Sequence, residues 1–227
     1  MNIAIIPARS KSKRIPNKNI KLFFGKPIIY YAINLALKSK IFDKVIVSTD
    51  SQKIKKIAEK YGAEVPFIRS KKLSNDTAST FAVMRHAVQW CLKNEFKINN
   101  VCCIYPTSAL LKKKYLMEGY KKIKTNKWRF VFSACKHDRS AYRSFSLNKR
   151  SGAQMLLPNY FSYNYKVLKD TYFDVGSFYW GKKDSWLGIH PIYYSSKSTI
   201  VEITPSQAQD VDTMDDWKKL SSKFKRK

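Results

Sequence analysis

Glycine and acid are both scarce in this chain. Seven of 227 residues are glycine, and 16 Asp and Glu stand against 44 Lys and Arg. The loop after the first apolar run contains no glycine. It is therefore neither a P-loop nor a dinucleotide fingerprint, and anions there are held by side-chain charge rather than by a glycine-lined backbone cradle. No stretch approaches the roughly 18 to 20 apolar residues of a membrane span, and residue 2 already opens a strand with no basic leader before it. A cytoplasmic protein is expected. Three histidines, His86, His137 and His190, are scattered and read as structural. The four cysteines, Cys91, Cys102, Cys103 and Cys135, have no metal-ligand spacing. Cys102 and Cys103 are adjacent in an apparent strand, point to opposite faces and cannot easily pair, so all four read as core thiols of a reducing compartment.

What is abundant is positive charge, a net +28. The lysines are spread along the chain, with a real cluster only at Lys218, Lys219, Lys223, Lys225, Arg226 and Lys227. That spread predicts a solvated basic surface with no specific nucleic-acid partner, although such charge attracts polyanions at low salt.

Strand and helix patterns alternate. Strands are predicted at 2–6, 44–48, 64–68, 100–105, 130–134 and 174–180, with helices at 27–39, 51–61, 80–93, 113–124 and 214–224. Pro27 suits a helix start, Ser51 an N-cap and Gly62 a helix stop. This rhythm predicts an α/β fold, a doubly wound and mostly parallel sheet, with ligands at the carboxyl ends of the strands. The 227 residues suffice for a single domain. At about 136–171 the rhythm breaks into an inserted arm, too long for an idle loop.

The first strand empties into Pro7-Ala8-Arg9-Ser10-Lys11-Ser12-Lys13-Arg14-Ile15-Pro16-Asn17-Lys18-Asn19, a cationic loop of the kind that holds phosphates. Near the C-terminus Asp210 and Asp212 lie two apart, so in extended chain both carboxylates face one way. Mg²⁺ needs only one or two carboxylates when phosphates and water complete its octahedron. Asp215 and Asp216 read as acids at a helix N-terminus. Asp50 stays open between a third metal ligand and a helix cap. Nothing in the chain suggests covalent catalysis.

The order Pro7-Ala8-Arg9, Ser12-Lys13, Pro16, Lys18-Asn19 resembles the opening signature of the acylneuraminate cytidylyltransferase family. The resemblance continues at Val47-Ser48-Thr49-Asp50, Arg69, Asp76-Thr77-Ala78-Ser79, Tyr105-Pro106-Thr107-Ser108, Asp174-Val175-Gly176 and Gln209-Asp210-Val211-Asp212. It implies a nucleotide-diphospho-sugar transferase-like fold. It also implies transfer of CMP from CTP to the anomeric hydroxyl of a nine-carbon sugar acid, with release of pyrophosphate. In that reading Arg9 and Lys18 are catalytic, and Ser12, Lys13, Asn19 and Arg69 bind CTP. Tyr105, Thr107 and Tyr179 bind the sugar, and Asp210 and Asp212 hold Mg²⁺.

The arm of relatives reaches a second subunit, so a homodimer is implied. Tyr105, where sialate enzymes carry Gln, together with Phe178-Tyr179-Trp180, resembles the branch that acts on pseudaminic acid. N-acylneuraminate or another nonulosonate is the alternative acceptor. Asn164-Tyr165-Lys166 and Phe173 depart from the usual sugar-side residues. A non-catalytic, basic nucleic-acid binder is the remote alternative, against which the Asp210–Asp212 pair argues.

Overall fold

The computed structural model describes residues 1–227 except 151, 190–191, 193–195 and 227, so His190 and Lys227 lie outside the described residues. A six-stranded sheet forms the centre. The strands are β1 (Asn2–Pro7), β4 (Lys44–Ser48), β5 (Asn100–Ile104), β6 (Phe130–Lys136), β9 (Tyr172–Lys182) and β10 (Ser198–Glu202). Their spatial order is β10-β6-β9-β5-β1-β4. β1 is parallel to β4 and β5, and β10 to β6. β9 alone runs antiparallel, between β5 and β6.

Strand alternation divides the core into two layers. Ala4, Ile6, Cys102 and Ile104 face one side, where α1 (Ile29–Ser39), α2 (Gln52–Lys60) and α4 (Lys113–Lys124) pack. Ile3, Ile5, Val101 and Cys103 face the other, under α3 (Thr80–Lys93) and α5 (Lys183–Leu187). Cys102 and Cys103 thus belong to different layers, and all four cysteines are free and buried. Helices on both faces of a mostly parallel sheet make the doubly wound fold. Gly119 lets α4 approach β9, since a Cβ there would stand 2.7 Å from the Trp180 ring.

Several features differ from the expected elements. The short α5 was not anticipated, and Pro27, expected at a helix start, lies two residues before α1 begins. Residues 64–68 form no strand and make only isolated bridges to Ile46 and Thr49, because Pro66 between them lacks an N–H for the ladder. A tight hairpin joins β2 (Leu22–Phe23) to β3 (Lys26–Pro27), turning at Phe24 and Gly25, both with positive φ. β10 was not anticipated from the sequence. The arm is not structureless, for it carries the antiparallel pair β7 (Phe145–Asn148) and β8 (Gly152–Met155), whose side chains are almost all exposed.

A third cluster seats the cationic loop. Ile15, fully buried in an otherwise polar loop, packs with Phe23, Val211, Trp217 and Leu220. Trp217 and Leu220 lie on α6 (Met214–Lys225), so the loop after β1 and the segment before α6 are fastened to one apolar peg.

Candidate active site

The carboxyl ends of β1, β4 and β5 lie together, and the antiparallel β9 starts at that same edge of the sheet. A cleft opens there in two joined parts. One, of ≈ 230 Å³, is walled by Arg69, Ala78, Tyr105, Pro106 and Thr107. The other, of ≈ 370 Å³, is walled by Ser12, Lys13, Arg14 and Asp212. Arg9, Lys18, Asn19 and Asp76 line both. Nine of the eleven residues singled out in the sequence therefore border one cavity, the exceptions being Tyr179 and Asp210.

The cations of the loop face two carboxylates. Arg9 Nη1 stands 2.8 Å from Asp76 Oδ1, and Lys13 Nζ 2.6 Å from Asp76 Oδ2. Those two cations hold the Asp76 carboxyl below its ordinary range, with Lys13 the larger influence. Arg14 Nη2 lies 2.9 Å and Lys18 Nζ 3.4 Å from the Asp212 carboxylate, and Lys18 also donates to the Val211 carbonyl at 2.5 Å. Ion pairs this exposed are screened by water and contribute little. An entering polyphosphate displaces them at small cost.

Asn19 is buried and donates through Nδ2 to the Arg9 carbonyl, 2.9 Å. Arg69 is 4% exposed, and its Nε donates to Ser74 Oγ at 3.0 Å. Burial lowers the Arg69 pKa and the charge of Asp50 counters that shift. Thr107 is buried beside Ser108, whose hydroxyl donates to the Ser177 carbonyl at 2.9 Å. Tyr105 pairs its hydroxyl with Thr80 Oγ1 at 2.5 Å and sits edge-on over Tyr179.

Tyr179 itself lies beneath the cleft wall, 4% exposed, and donates to Asp174 Oδ2 at 2.5 Å. Its neighbours Phe178 and Trp180 point to the opposite layer, fully buried, as the period of two requires. Of the Phe178-Tyr179-Trp180 stretch, alternation thus leaves only Tyr179 on the face toward the cleft.

Asp210 accepts from the Val211 N–H at 2.7 Å. Its carboxyl is raised above the usual range, first by burial and further by the charges of Asp212 and Asp174. Gly176, at φ +62°, brings the chain against it, since a Cβ there would lie 3.5 Å from Asp210 Cγ. Oxygen donors crowded enough to repel one another suit a hard divalent cation. Among the described residues no three His, Cys, Asp or Glu side chains form a metal cage, so a cation here relies on phosphate and water oxygens for its remaining ligands.

Of the two roles left open for Asp50 in the sequence, the helix cap belongs to Ser51 instead. Ser51 caps α2, accepting from Ile54 N, while Asp50 accepts from Ser10 through both oxygens. Asp215 and Asp216 start α6, and Asp216 completes a capping box with Thr213. His86 packs edge-on against Phe67, and burial with the nearby Arg69 charge lowers its pKa. Burial raises every cysteine thiol, Cys91 to about 11, so none is a poised nucleophile. Sequence reasoning passed over Asp76, Arg14 and Asp174 as site residues. Asp76 and Asp174 stood inside quoted motifs and Arg14 inside the loop, but the partners of Asp76 and Arg14 lie more than 60 positions away, and Asp174 comes to Asp210 only through the fold.

The family model described as "Cytidylyltransferase" matches residues 3–171. A cleft of cations backed by a carboxylate pair, on this fold and in this motif order, defines a nucleotide-handling transferase, and the chain belongs to the cytidylyltransferase family. Among particular relatives, it is 38% identical over 215 residues to the pseudaminic acid cytidylyltransferase of Campylobacter jejuni, covering 95% of this chain and 92% of that one. It is 40% identical to a Helicobacter pylori protein named pseudaminic acid cytidylyltransferase and UDP-2,4-diacetamido-2,4,6-trideoxy-beta-L-altropyranose hydrolase, covering 92% of this chain and 40% of that one. The N-acylneuraminate cytidylyltransferase of Escherichia coli is 30% identical, over 95% of this chain and 50% of its own length. In fold, the chain matches a CMP:2-keto-3-deoxy-manno-octonic acid synthetase solved with CTP at TM-score 0.73 and 16% identity, covering 99% of this chain and 98% of that one.

Proposed function

We propose that this chain transfers CMP from CTP to the anomeric hydroxyl of a nine-carbon sugar acid, with pseudaminic acid its best acceptor. The observation that carries the reading is the cleft itself. Four cations, Arg9, Lys13, Arg14 and Lys18, converge on a space where only Asp76 and Asp212 pair with them among the described residues. That space continues into a pocket walled by Asn19, Arg69, Tyr105 and Thr107.

In this reading the triphosphate takes the place of the two carboxylates against the loop. Arg9, Lys13 and the Ser12 hydroxyl hold it, Asn19 and Arg69 hold the cytidine, and Tyr105 and Thr107 border the sugar. Tyr179 acts from beneath by fixing Tyr105. The sugar hydroxyl attacks the α-phosphorus, the bond to the β-phosphate oxygen breaks, and pyrophosphate leaves. Lys18 sits where negative charge grows on the α-phosphoryl group, and such positioning and neutralisation supply most of the rate in phosphoryl chemistry. Asp210 and Asp212 are the side chains to hold Mg²⁺, which when bound neutralises phosphate charge and aligns the triphosphate. We place the reaction in the cytoplasm, which four free, buried thiols favour. No described helix is long and apolar enough to cross a membrane. The chain is taken as one catalytic domain with an arm at 136–171 through which two copies pair.

The relatives' names support the pseudaminate acceptor, and Tyr105 stands where a sialate enzyme carries an amide. The deciding assay is pyrophosphate release from CTP with Mg²⁺ across a panel of nonulosonic acids. CTP should far exceed ATP and GTP, and pseudaminic acid should exceed N-acetylneuraminic acid by about 10- to 200-fold in kcat/KM, the span of one hydrogen bond or methyl contact. Equal rates with purine triphosphates overturn the nucleotide assignment, and a higher kcat/KM for N-acetylneuraminate overturns the sugar.

A further inference from the structure

A loop without glycine that must hold four cations in register needs an anchor from outside itself. Asp50 supplies one. It follows β4, whose last residues run beside the end of β1, and it receives the Ser10 N–H at 2.7 Å on Oδ1 and the Ser10 hydroxyl at 2.6 Å on Oδ2. Ser10 is the neighbour of Arg9, whose carbonyl is caught from the other side by Asn19. The backbone at Arg9–Ser10 is thus clamped by one carboxylate and one amide.

The same carboxylate bears on the nucleoside side. Arg69 N donates to the carbonyl of Thr49, the residue before Asp50, at 2.8 Å. That bond brings Arg69 to the carboxyl end of β4, where its guanidinium is buried in the cleft wall and stabilised by the Asp50 charge. An almost fully buried guanidinium without a counter-charge is costly, and the positive charge of Arg9 nearby adds to that cost.

We propose that Asp50 is the positioning residue of nucleotide binding, coupling the phosphate loop through Ser10 to the Arg69 wall. The inference rests on the cytidylyltransferase reading above. Asp50 touches neither phosphate nor metal in it; it acts through Ser10 and Arg69. Each Asp50 oxygen keeps a second lone pair beyond its Ser10 bond, so a role as Mg²⁺ ligand is the alternative that the test must separate.

The test uses Asp50→Asn, which keeps an acceptor but loses the charge, and Ser10→Ala, which loses one of the two bonds and leaves Arg69 untouched. Both are titrated calorimetrically with CTP and with inorganic pyrophosphate, without sugar acid, after thermal melting has confirmed folding. Asp50→Asn should weaken CTP roughly 10- to 100-fold, the scale of a 1 Å misplacement of binding groups, and raise the KM for CTP far more than it lowers kcat. Ser10→Ala should weaken pyrophosphate and CTP by the same smaller factor, since only the loop is disturbed. Unchanged CTP affinity in both folded variants overturns the proposal. So does a raised Mg²⁺ requirement at unchanged CTP affinity, which would make Asp50 a metal ligand. Wild-type protein that fails to bind CTP overturns the nucleotide reading itself, and the two failures are told apart by that control.

Discussion

Lys18 and Asp212 show how much depends on single atoms. Lys18 Nζ is held by the Val211 carbonyl and faces the Asp212 carboxylate, so its ammonium is already ordered before any substrate enters. Preorganised charge costs no rearrangement in the transition state, and losing one such donor removes about 10²- to 10³-fold of turnover. Lys18→Ala should therefore lower kcat by at least about 10²-fold with a smaller change in the KM for CTP, read by continuous pyrophosphate release. A variant near wild-type turnover would reduce Lys18 to a binding contact. For the carboxylates, Asp210→Asn and Asp212→Asn should each raise the Mg²⁺ concentration for half-maximal rate severely. EDTA should abolish wild-type turnover, and added Mg²⁺ should restore it. Full activity in EDTA would make the pair structural. The two variants should differ in the absence of metal: Asp212→Asn frees Arg14 and Lys18 of their counter-ion, whereas Asp210→Asn relieves repulsion from Asp212 and Asp174.

At the scale of elements, the start of α6 is where local chemistry serves the site. Thr213 Oγ1 accepts from Asp216 N at 3.2 Å, and Asp216 Oδ2 accepts from Thr213 N at 2.8 Å. Asp216 also accepts from the N–H of Asp212, so the capping box fixes the backbone that carries a proposed metal ligand. Removing such a cap costs typically about 1 kcal/mol, so Thr213→Ala should lower the urea midpoint by about 0.3 to 1 M at neutral pH. The hydrogen bonds from Thr213 hold the Asp216 carboxyl below its usual range. A depressed carboxylate contributes stability above its unfolded pKa, near 4, and loses it as pH falls through the folded value. The difference between wild type and Asp216→Asn should therefore be present at pH 7 and close below about pH 4. A gap that persisted in acid would mean that the carboxylate charge contributes nothing.

Elements also explain what was legible in the chain beforehand. The helices α1 to α4 and α6 announced themselves because each buries one regular face, and β1, β4, β5 and β6 did so as short continuous apolar runs, because both their faces are covered. Arg9, Ser12, Lys13, Lys18 and Asn19 were visible because a phosphate loop is written in consecutive residues. Residues 64–68 carried an apolar pattern that Pro66 kept from laddering. β10 went unseen because its burial is partial, with only Val201 fully buried. Asp50 was noticed and left open, since its hydrogen-bond partner Ser10 lies 40 positions away in sequence. Likewise nothing local tells that Asp76 answers Arg9 and Lys13, or which of the two faces of β9 turns to the site.

For the whole molecule, the proposed dimer has to form between chains that each carry a net charge of +28. The arm offers the surface. Phe145, Leu147 and Phe161 are exposed by 67%, 82% and 77% on a hairpin and its flank that touch little of the main core. A lone two-stranded hairpin is at best marginal in water, and an apolar patch of this kind marks a contact with another protein surface. Against pairing stands the repulsion of two chains that each carry +28, which falls as ions screen it over about 10 Å at 0.1 M salt. The two terms predict a dimer that tightens as salt rises, because added ions weaken repulsion and leave apolar burial intact or stronger. Sedimentation velocity should show wild-type protein moving from a mixture toward dimer between low and moderate salt. Leu147→Asp combined with Phe161→Asp should stay monomeric throughout, with a melting temperature close to wild type, because exposed positions away from caps and cores change stability by about 0.5 kcal/mol or less. A variant that still dimerised would move the interface off the arm, and a wild-type dimer that dissociated as salt rose would make ion pairs, not apolar burial, its source of affinity.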